Sequence, residues 1–148
     1  VCCRCQHLQC ALARRLAHEH PDRVRQIICL GSPWKAEGEH TRATAMFERS
    51  RVRHGLSDRA RDIVRQLRRP VPVPTTAVYT RTDGVVRWHL CIDVEDERHE
   101  NIEVWGSHSG IGWHPAVTYP VDDRLAQPDG DWRTSRAPTP LRVRFQST

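Results

Sequence analysis

Apolar positions along this chain fall into short stretches whose spacing changes from helical to extended and back. The spacing over 11–19 predicts a helix, with Leu12 and Leu16 among its apolar positions. VRQIICL, at 24–30, is almost continuously apolar and rich in β-branched residues, and the turn sequence GSP follows it. This stretch therefore reads as a strand that is buried on both faces.

The pattern then becomes polar and rich in arginine over 35–70, which we interpret as an insert. Its apolar positions Ile63, Val64 and Leu67 suit one short amphipathic helix, which begins near Ser57 as its cap. The proline-rich PVPVP that closes the insert cannot lie inside a helix. It therefore leads the chain into the next extended stretch.

Two further strands and a helix complete the pattern. The strands are predicted at 75–80 and 101–106, and the helix at 115–126, where a proline in the first turn is well tolerated. Pro120 within this helix predicts a kink or a later start. Residues 133–148 are polar and contain proline, and we expect them to form a loose tail.

Strands that alternate with helical stretches predict an α/β fold with a mostly parallel sheet and flanking helices. In such sheets the functional groups sit in the loops beyond the carboxyl ends of the strands. Three loops occupy that position here: GSP after the first of these strands, RTDG around Asp83, and GSHSG around His108. The last two place a carboxylate and an imidazole after consecutive strands.

Composition and charge narrow the range of partners. The formal net charge is +5 and the pI is about 9.2, with many arginines between 49 and 69. No apolar run reaches the roughly 18 to 20 residues that a membrane span needs, and the N-terminus lacks the apolar stretch of a secretory signal. We therefore expect a cytoplasmic protein without a membrane span.

The sequence also resembles a known family. The order HPDRV, strand, LGSP, insert, TTAVYTRTDGVV, NIEVWGSHSGIGWHP and DRLAQPDGDW, over 11–132, is similar to the C-terminal half of an α/β-hydrolase of the lipase and esterase type. TRTDGVV and GSHSGIGWHP are its most specific parts. The resemblance implies a partial α/β-hydrolase fold in which 35–70 is a short helical lid.

The resemblance assigns chemistry to two residues. In that family the acid of a Ser-Asp-His triad follows the penultimate strand and the histidine follows the last one, which places these roles on Asp83 and His108. The imidazole takes the proton of a serine hydroxyl, and the carboxylate holds the tautomer of the imidazole. The implied activity is hydrolysis of a small-molecule ester or lipid, without a cofactor or a metal ion.

The nucleophile that this activity needs is not where the family has it. It belongs in Gly-x-Ser-x-Gly at the turn before the helix ALARRLA, which is about residues 5–9 and reads CQHLQ, with His7 nearest the expected position. A cysteine variant using Cys5 or Cys10 is an alternative, although neither residue falls on that position. Ser32 also follows a strand, but its GSP context favours a structural turn. The oxyanion donor that the family takes from an earlier loop is missing as well, so we expect the chain as written to be inactive.

The first ten residues, VCCRCQHLQC, allow several interpretations. Cys2, Cys5, His7 and Cys10 are zinc-ligand types, yet four ligands within nine residues make a cramped site. Disulfides are disfavoured in a cytoplasmic chain. A third interpretation is a disrupted reading frame, since the same codons read one base later permit Gly-Ala-Ser-Ile-Ser ahead of the helix. Sequencing of the encoding DNA tests that hypothesis.

Two expectations concern the whole chain. Without preceding strands, VRQIICL would be an open sheet edge, through which we expect self-association. The alternative function is a non-catalytic basic module that contacts nucleic acid or another anionic partner through 49–69. That stretch has no interleaved aromatic residues for base stacking, so specific nucleic-acid binding is not expected.

Overall fold

The computed structural model describes residues 2–6, 8–35 and 67–134. These residues form β1 (Cys2–Gln6), α1 (Leu8–Glu19), β2 (Gln26–Leu30), β3 (Thr75–Tyr79), a 3₁₀ helix (Trp88–Leu90), β4 (His99–Glu103) and α2 (Pro115–Ala126). Most of the arginine-rich insert and of the C-terminal tail lies outside the described residues. The predicted lid helix and the loose tail therefore remain predictions.

The four described strands make one parallel sheet in the order β1-β2-β3-β4. Each strand lies beside its neighbour in the sequence, and a helix or a long segment returns the chain between strands, as parallel pairing requires. The predicted α/β class and its parallel sheet are therefore confirmed. No helix in the described ranges is long and apolar enough to cross a membrane.

Both faces of the sheet are covered, because successive side chains of β2 point to opposite sides. Ile27 and Cys29 belong to the core beneath α1, whereas Ile28 and Leu30 join the core formed with α2. All five residues of β2 are buried. This arrangement accounts for the continuous apolar run that predicted a strand buried on both faces.

The buried face of α1 carries its alanines, and the predicted open edge at β2 is wrong. Leu12 and Leu16 are exposed, with 68% and 39% of their surface accessible, whereas Ala13 and Ala17 are buried against the sheet. The small side chains bring the helix close to β2, so the longer leucines lie outward. β2 is also not an open edge, since β1 pairs with it from Cys2 opposite Gln26 to Gln6 opposite Leu30.

Element boundaries differ by a few residues from the predictions. α1 begins three residues before 11, and β4 spans His99–Glu103 instead of 101–106. α2 covers 115–126 as predicted, with Pro120 buried inside it, so its start is not delayed. His114 caps this helix, because its Nδ1 accepts a hydrogen bond from the Ala116 amide at 3.1 Å.

Candidate active site

Three loops meet beyond the carboxyl ends of the parallel strands. Gly31 follows β2 directly, Asp83 follows β3, and His108 follows β4. Gly31 has φ +53°, and a Cβ added there would lie 3.9 Å from Asp83 Oδ2 and 3.6 Å from the Ile111 side chain. The positive φ favours glycine at this position, whereas an added Cβ would make only ordinary van der Waals contacts with the neighbouring loops.

Asp83 and His108 form a buried hydrogen-bonded pair. Asp83 Oδ2 lies 2.6 Å from His108 Nδ1, and the two side chains are 3% and 10% exposed. The other carboxylate oxygen, Oδ1, accepts hydrogen bonds from the Val85 and Val86 amides, each at 2.8 Å. These bonds orient the carboxylate toward the imidazole, with both oxygen atoms of Asp83 engaged.

Two threonine hydroxyls hold the loops of Asp83 and His108 in register. Thr80 Oγ1 and Thr82 Oγ1 both donate to the Gly106 carbonyl, at 3.0 and 2.7 Å. An exposed ion pair between Arg81 and Glu103 adds a further link at 3.0 Å. These contacts fix the loop after β3 to the loop after β4, and they thereby hold Asp83 next to His108. The sequence analysis did not identify the two hydroxyls.

The strand-to-helix turn expected to carry a nucleophile lies at the same edge of the sheet. β1 ends at Gln6 and α1 begins at Leu8, so a single residue, His7, separates them. His7 lies outside the described residues. Ser32 is buried, and its hydroxyl donates to the Leu30 carbonyl at 3.3 Å, which is the bond of a turn serine.

An open cleft of about 670 Å³ lies beside Asp83. Val86 and Trp88 supply its apolar wall, and Trp88 stacks on Tyr79 with 5.7 Å between the ring centroids. The Arg81 guanidinium lies over the Trp88 ring at 4.7 Å. The cleft therefore offers an apolar surface and a cation next to the carboxylate.

Burial changes the acidity of one thiol near this site. Burial raises the pKa of Cys91 to about 12, and the negative charge of Asp83 contributes in the same direction. Cys91 is therefore protonated at neutral pH, and a protonated thiol is a weak nucleophile. Although it is a buried cysteine within the electrostatic reach of Asp83, Cys91 is poorly suited to replace the serine.

The first cysteines are divided between two environments. The Gln26 side-chain amide donates to Cys2 Sγ at 3.7 Å. Cys5 and Cys10 instead meet Cys29 of β2 in the core beneath α1. Cys10 and Cys29 form a disulfide, so the expectation that disulfides are disfavoured is wrong for this pair. Sequence reasoning missed it because the partner comes from β2, nineteen residues away.

Comparisons with protein-family models, curated proteins and solved structures give no match for this chain.

Proposed function

We propose that this chain carries the acid and base of an acyl hydrolase of the α/β-hydrolase type, acting on carboxylic esters or lipids. The observation that carries the proposal is the 2.6 Å hydrogen bond between Asp83 Oδ2 and His108 Nδ1. The sheet order adds support, because the two residues follow the last two of four parallel strands. This is the position of the acid and the base in that family.

In the proposed chemistry the carboxylate of Asp83 holds the proton of His108 on Nδ1. Nε2 then becomes the basic nitrogen, which accepts the proton of a nucleophilic hydroxyl and later transfers it to the leaving alcohol. The negative charge of Asp83 stabilises the imidazolium that forms between these two steps. The cleft beside Asp83, with Val86 and Trp88, would receive the acyl or alcohol part of the ester.

The proposal assigns the nucleophile position to residue 7. That residue lies between the end of β1 and the start of α1, where the family has its serine, and the Leu8 amide after it would point an N–H at the developing oxyanion. Here the residue is histidine, and no hydroxyl stands at the turn. We therefore expect no ester turnover from the chain as written.

Restoring the hydroxyl tests the proposal. The variant His7→Ser, and the triple variant Cys5→Gly, His7→Ser, Gln9→Gly that completes the motif, should become labelled by a fluorophosphonate and should release p-nitrophenol from p-nitrophenyl acetate. Adding His108→Ala should abolish both signals, because the serine then has no base. Ser32→Ala in the same background should change neither.

Two results would count against the proposal. Labelling that is unchanged by His108→Ala would show that the pair does not activate residue 7. A folded triple variant that is not labelled would show that residue 7 is not the nucleophile position. Circular dichroism on each variant establishes that it is folded.

A further inference from the structure

Three cysteine sulfurs from three elements meet in the core beneath α1. Cys5 comes from β1, Cys10 from the first turn of α1 and Cys29 from β2, and they are 5%, 0% and 1% exposed. All three sulfurs lie within 4.8 Å of one another. Cys10 and Cys29 are joined as a disulfide, and the Cys5 thiol beside them is not part of it.

We propose that reduction of this disulfide turns the cluster into a binding site for one Cu(I) ion, held by Cys5, Cys10 and Cys29. The inference is independent of the proposed hydrolase chemistry, because none of the three cysteines belongs to the Asp83–His108 pair. It assigns a role to the cysteine-rich start of the chain. The disulfide is then the metal-free, oxidised form of the same site.

The sulfur spacing supports a metal site. Cys5 Sγ and Cys29 Sγ are 3.9 Å apart, and their backbones are directly paired in neighbouring parallel strands. A metal–sulfur bond of about 2.3 Å places the sulfurs of a trigonal site about 4 Å apart. The β1–β2 pair therefore already holds two ligands at the distance that a bound ion needs. Once reduced, Cys10 completes the triangle from α1.

The composition of the site favours a soft ion of low coordination number. The three cysteines lie in a core of buried residues that includes Ala13 and Ile27, and the Cys5 thiol donates to the Ile28 carbonyl at 3.6 Å. Among the described residues, no fourth histidine, cysteine or carboxylate joins the group. Structural zinc sites need four ligands, whereas thiolates select Cu(I) among soft ions. The first turn of α1, which contains Cys10, offsets part of the negative charge of the thiolates through the helix dipole.

The redox step balances with a dithiol reductant. The reductant gives two electrons and two protons to the Cys10–Cys29 bond, which becomes two thiols, and is itself oxidised to a disulfide. Cu(I) then binds as the thiols release protons to solvent. After loss of the ion, thiol–disulfide exchange with the oxidised form of the dithiol re-forms the Cys10–Cys29 bond, and the two electrons and two protons return to the dithiol.

The test titrates Cu(I) into the whole chain under anaerobic conditions, against a chromogenic Cu(I) chelator, after reduction and removal of the reductant. We expect the reduced chain to take one Cu(I) ion from the chelator. The oxidised chain should take none. X-ray absorption of the loaded protein should show three sulfur neighbours. Zn²⁺ should bind more weakly relative to its own chelator, because a fourth ligand is lacking.

Variants locate the ligands. Cys5→Ser and Cys29→Ser should weaken Cu(I) binding by more than about 100-fold, since even the outer partners of a metal ligand are worth 10–100-fold. Cys91→Ser, at a buried cysteine outside the cluster, and Cys2→Ser, in the same strand as Cys5, should bind as the parent chain does.

Three results would overturn the proposal: no binding by the reduced, folded chain, binding that survives Cys5→Ser, or fewer than three sulfur neighbours in the absorption spectrum. The absorption measurement uses the unsubstituted chain. It therefore remains decisive if a serine variant fails to fold.

Discussion

Asp83 accepts three hydrogen bonds in a site where its side chain is almost fully buried. Two of them come from the amides of Val85 and Val86, and the third joins His108. The residue therefore shapes its own turn and also orients the imidazole. Substitutions can separate these two roles because asparagine retains an acceptor oxygen and alanine does not.

Asp83→Asn should keep the turn but lose the orientation of His108. The amide oxygen can still accept from the two backbone amides, whereas the amide nitrogen would face Nδ1 in place of the carboxylate. We expect the downfield Nδ1 proton resonance of His108 to disappear from the NMR spectrum while stability changes little. If this resonance persists in the variant, Asp83 does not orient the imidazole of His108.

Asp83→Ala is the matched control for that substitution. It removes the acceptor of both backbone amides, in one exposed and one part-buried hydrogen bond, and each such bond contributes about 0.5–1.5 kcal/mol. Urea unfolding should therefore show a larger loss of stability for Asp83→Ala than for Asp83→Asn. Equal stabilities of the two variants would show that the turn does not depend on this oxygen.

Cys91 should make stability depend on pH in the alkaline range. Burial raises its pKa from 9.0 to about 12 in the folded chain. The unfolded chain therefore loses this proton first as the pH rises, and the folded state is disfavoured above pH 9. The contribution of Cys91 to the free energy of unfolding is fully present below about pH 9. It falls by about 1.4 kcal/mol per pH unit toward pH 12.

Urea unfolding at pH 8, 9 and 10 measures this effect. Cys91→Ser removes the ionisable thiol while a hydroxyl can still donate toward the Arg87 carbonyl, which Cys91 Sγ approaches at 3.9 Å. The free energy of unfolding should fall more steeply with pH for the parent chain than for the variant. Parallel slopes would show that Cys91 ionises normally in the folded chain.

At the scale of the elements, a buried ion pair joins α1 to the segment before β4. Arg14 Nη1 lies 2.5 Å from Asp93 Oδ2, and the two side chains are 0% and 1% exposed. Arg14 Nε also donates to the Leu67 carbonyl at 3.1 Å, and the guanidinium lies 3.8 Å from the centre of the Trp34 ring. One side chain thus connects α1 with three distant parts of the chain.

Arg14→Met should destabilise the fold by about 3–5 kcal/mol, because Asp93 would keep a buried charge without a partner. Thermal or urea unfolding measures the loss. Arg15→Met is the matched control: Arg15 is exposed on the same helix and, among the described residues, forms an ion pair with Glu19 alone, so its loss should cost well under about 1 kcal/mol. A similar small effect at both positions would contradict the structural role of Arg14.

Arg14 also marks a limit of helical periodicity as a guide. The helical spacing over 11–19 includes the apolar positions Leu12 and Leu16, yet the buried face of α1 carries Arg14, Ala13 and Ala17. Arg14 is stabilised in the core because the Asp93 carboxylate and the Leu67 carbonyl accept its hydrogen bonds there. Asp93 and Leu67 lie far from Arg14 in the sequence, so no local pattern predicts the contacts of Arg14 with them.

At the scale of the whole molecule, the edges of the sheet decide where a second chain could pair. The sequence predicted β2 as an open edge. Among the described strands, β1 pairs only with β2 and β4 pairs only with β3, so these two strands form the edges of the sheet. An open edge presents backbone groups that can pair with a second chain. We therefore retain the prediction of self-association and move it from β2 to these two edge strands.

Size-exclusion chromatography over a range of concentrations should show association of the chain. Trp105 and Trp113, 65% and 89% exposed, provide a control, since exposed aromatic side chains can also mediate association. Association should persist in the double variant Trp105→Lys, Trp113→Lys if a sheet edge causes it. A monomer at every concentration would contradict the prediction, and loss of association in the double variant would assign it to these tryptophans.

The amino-acid sequence by itself determined the α/β class, the strands around Ile28 and Val78, the bounds of α2, and the loops that carry Asp83 and His108. These features depend on local periodicity, turn residues and the rule that loops follow strand ends, all of which can be read within a few residues. β1 was missed because five residues that include three cysteines carry no clear alternation.

Only the tertiary structure decided the contacts between distant residues. It brought Asp83 within hydrogen-bond distance of His108, Arg14 onto Asp93, and Cys29 onto Cys5 and Cys10. Each contact depends on how strands and helices pack across the sheet, and packing is a property of the assembled chain. The physical reason is that burial and charge pairing act through space, whereas periodicity acts along the sequence.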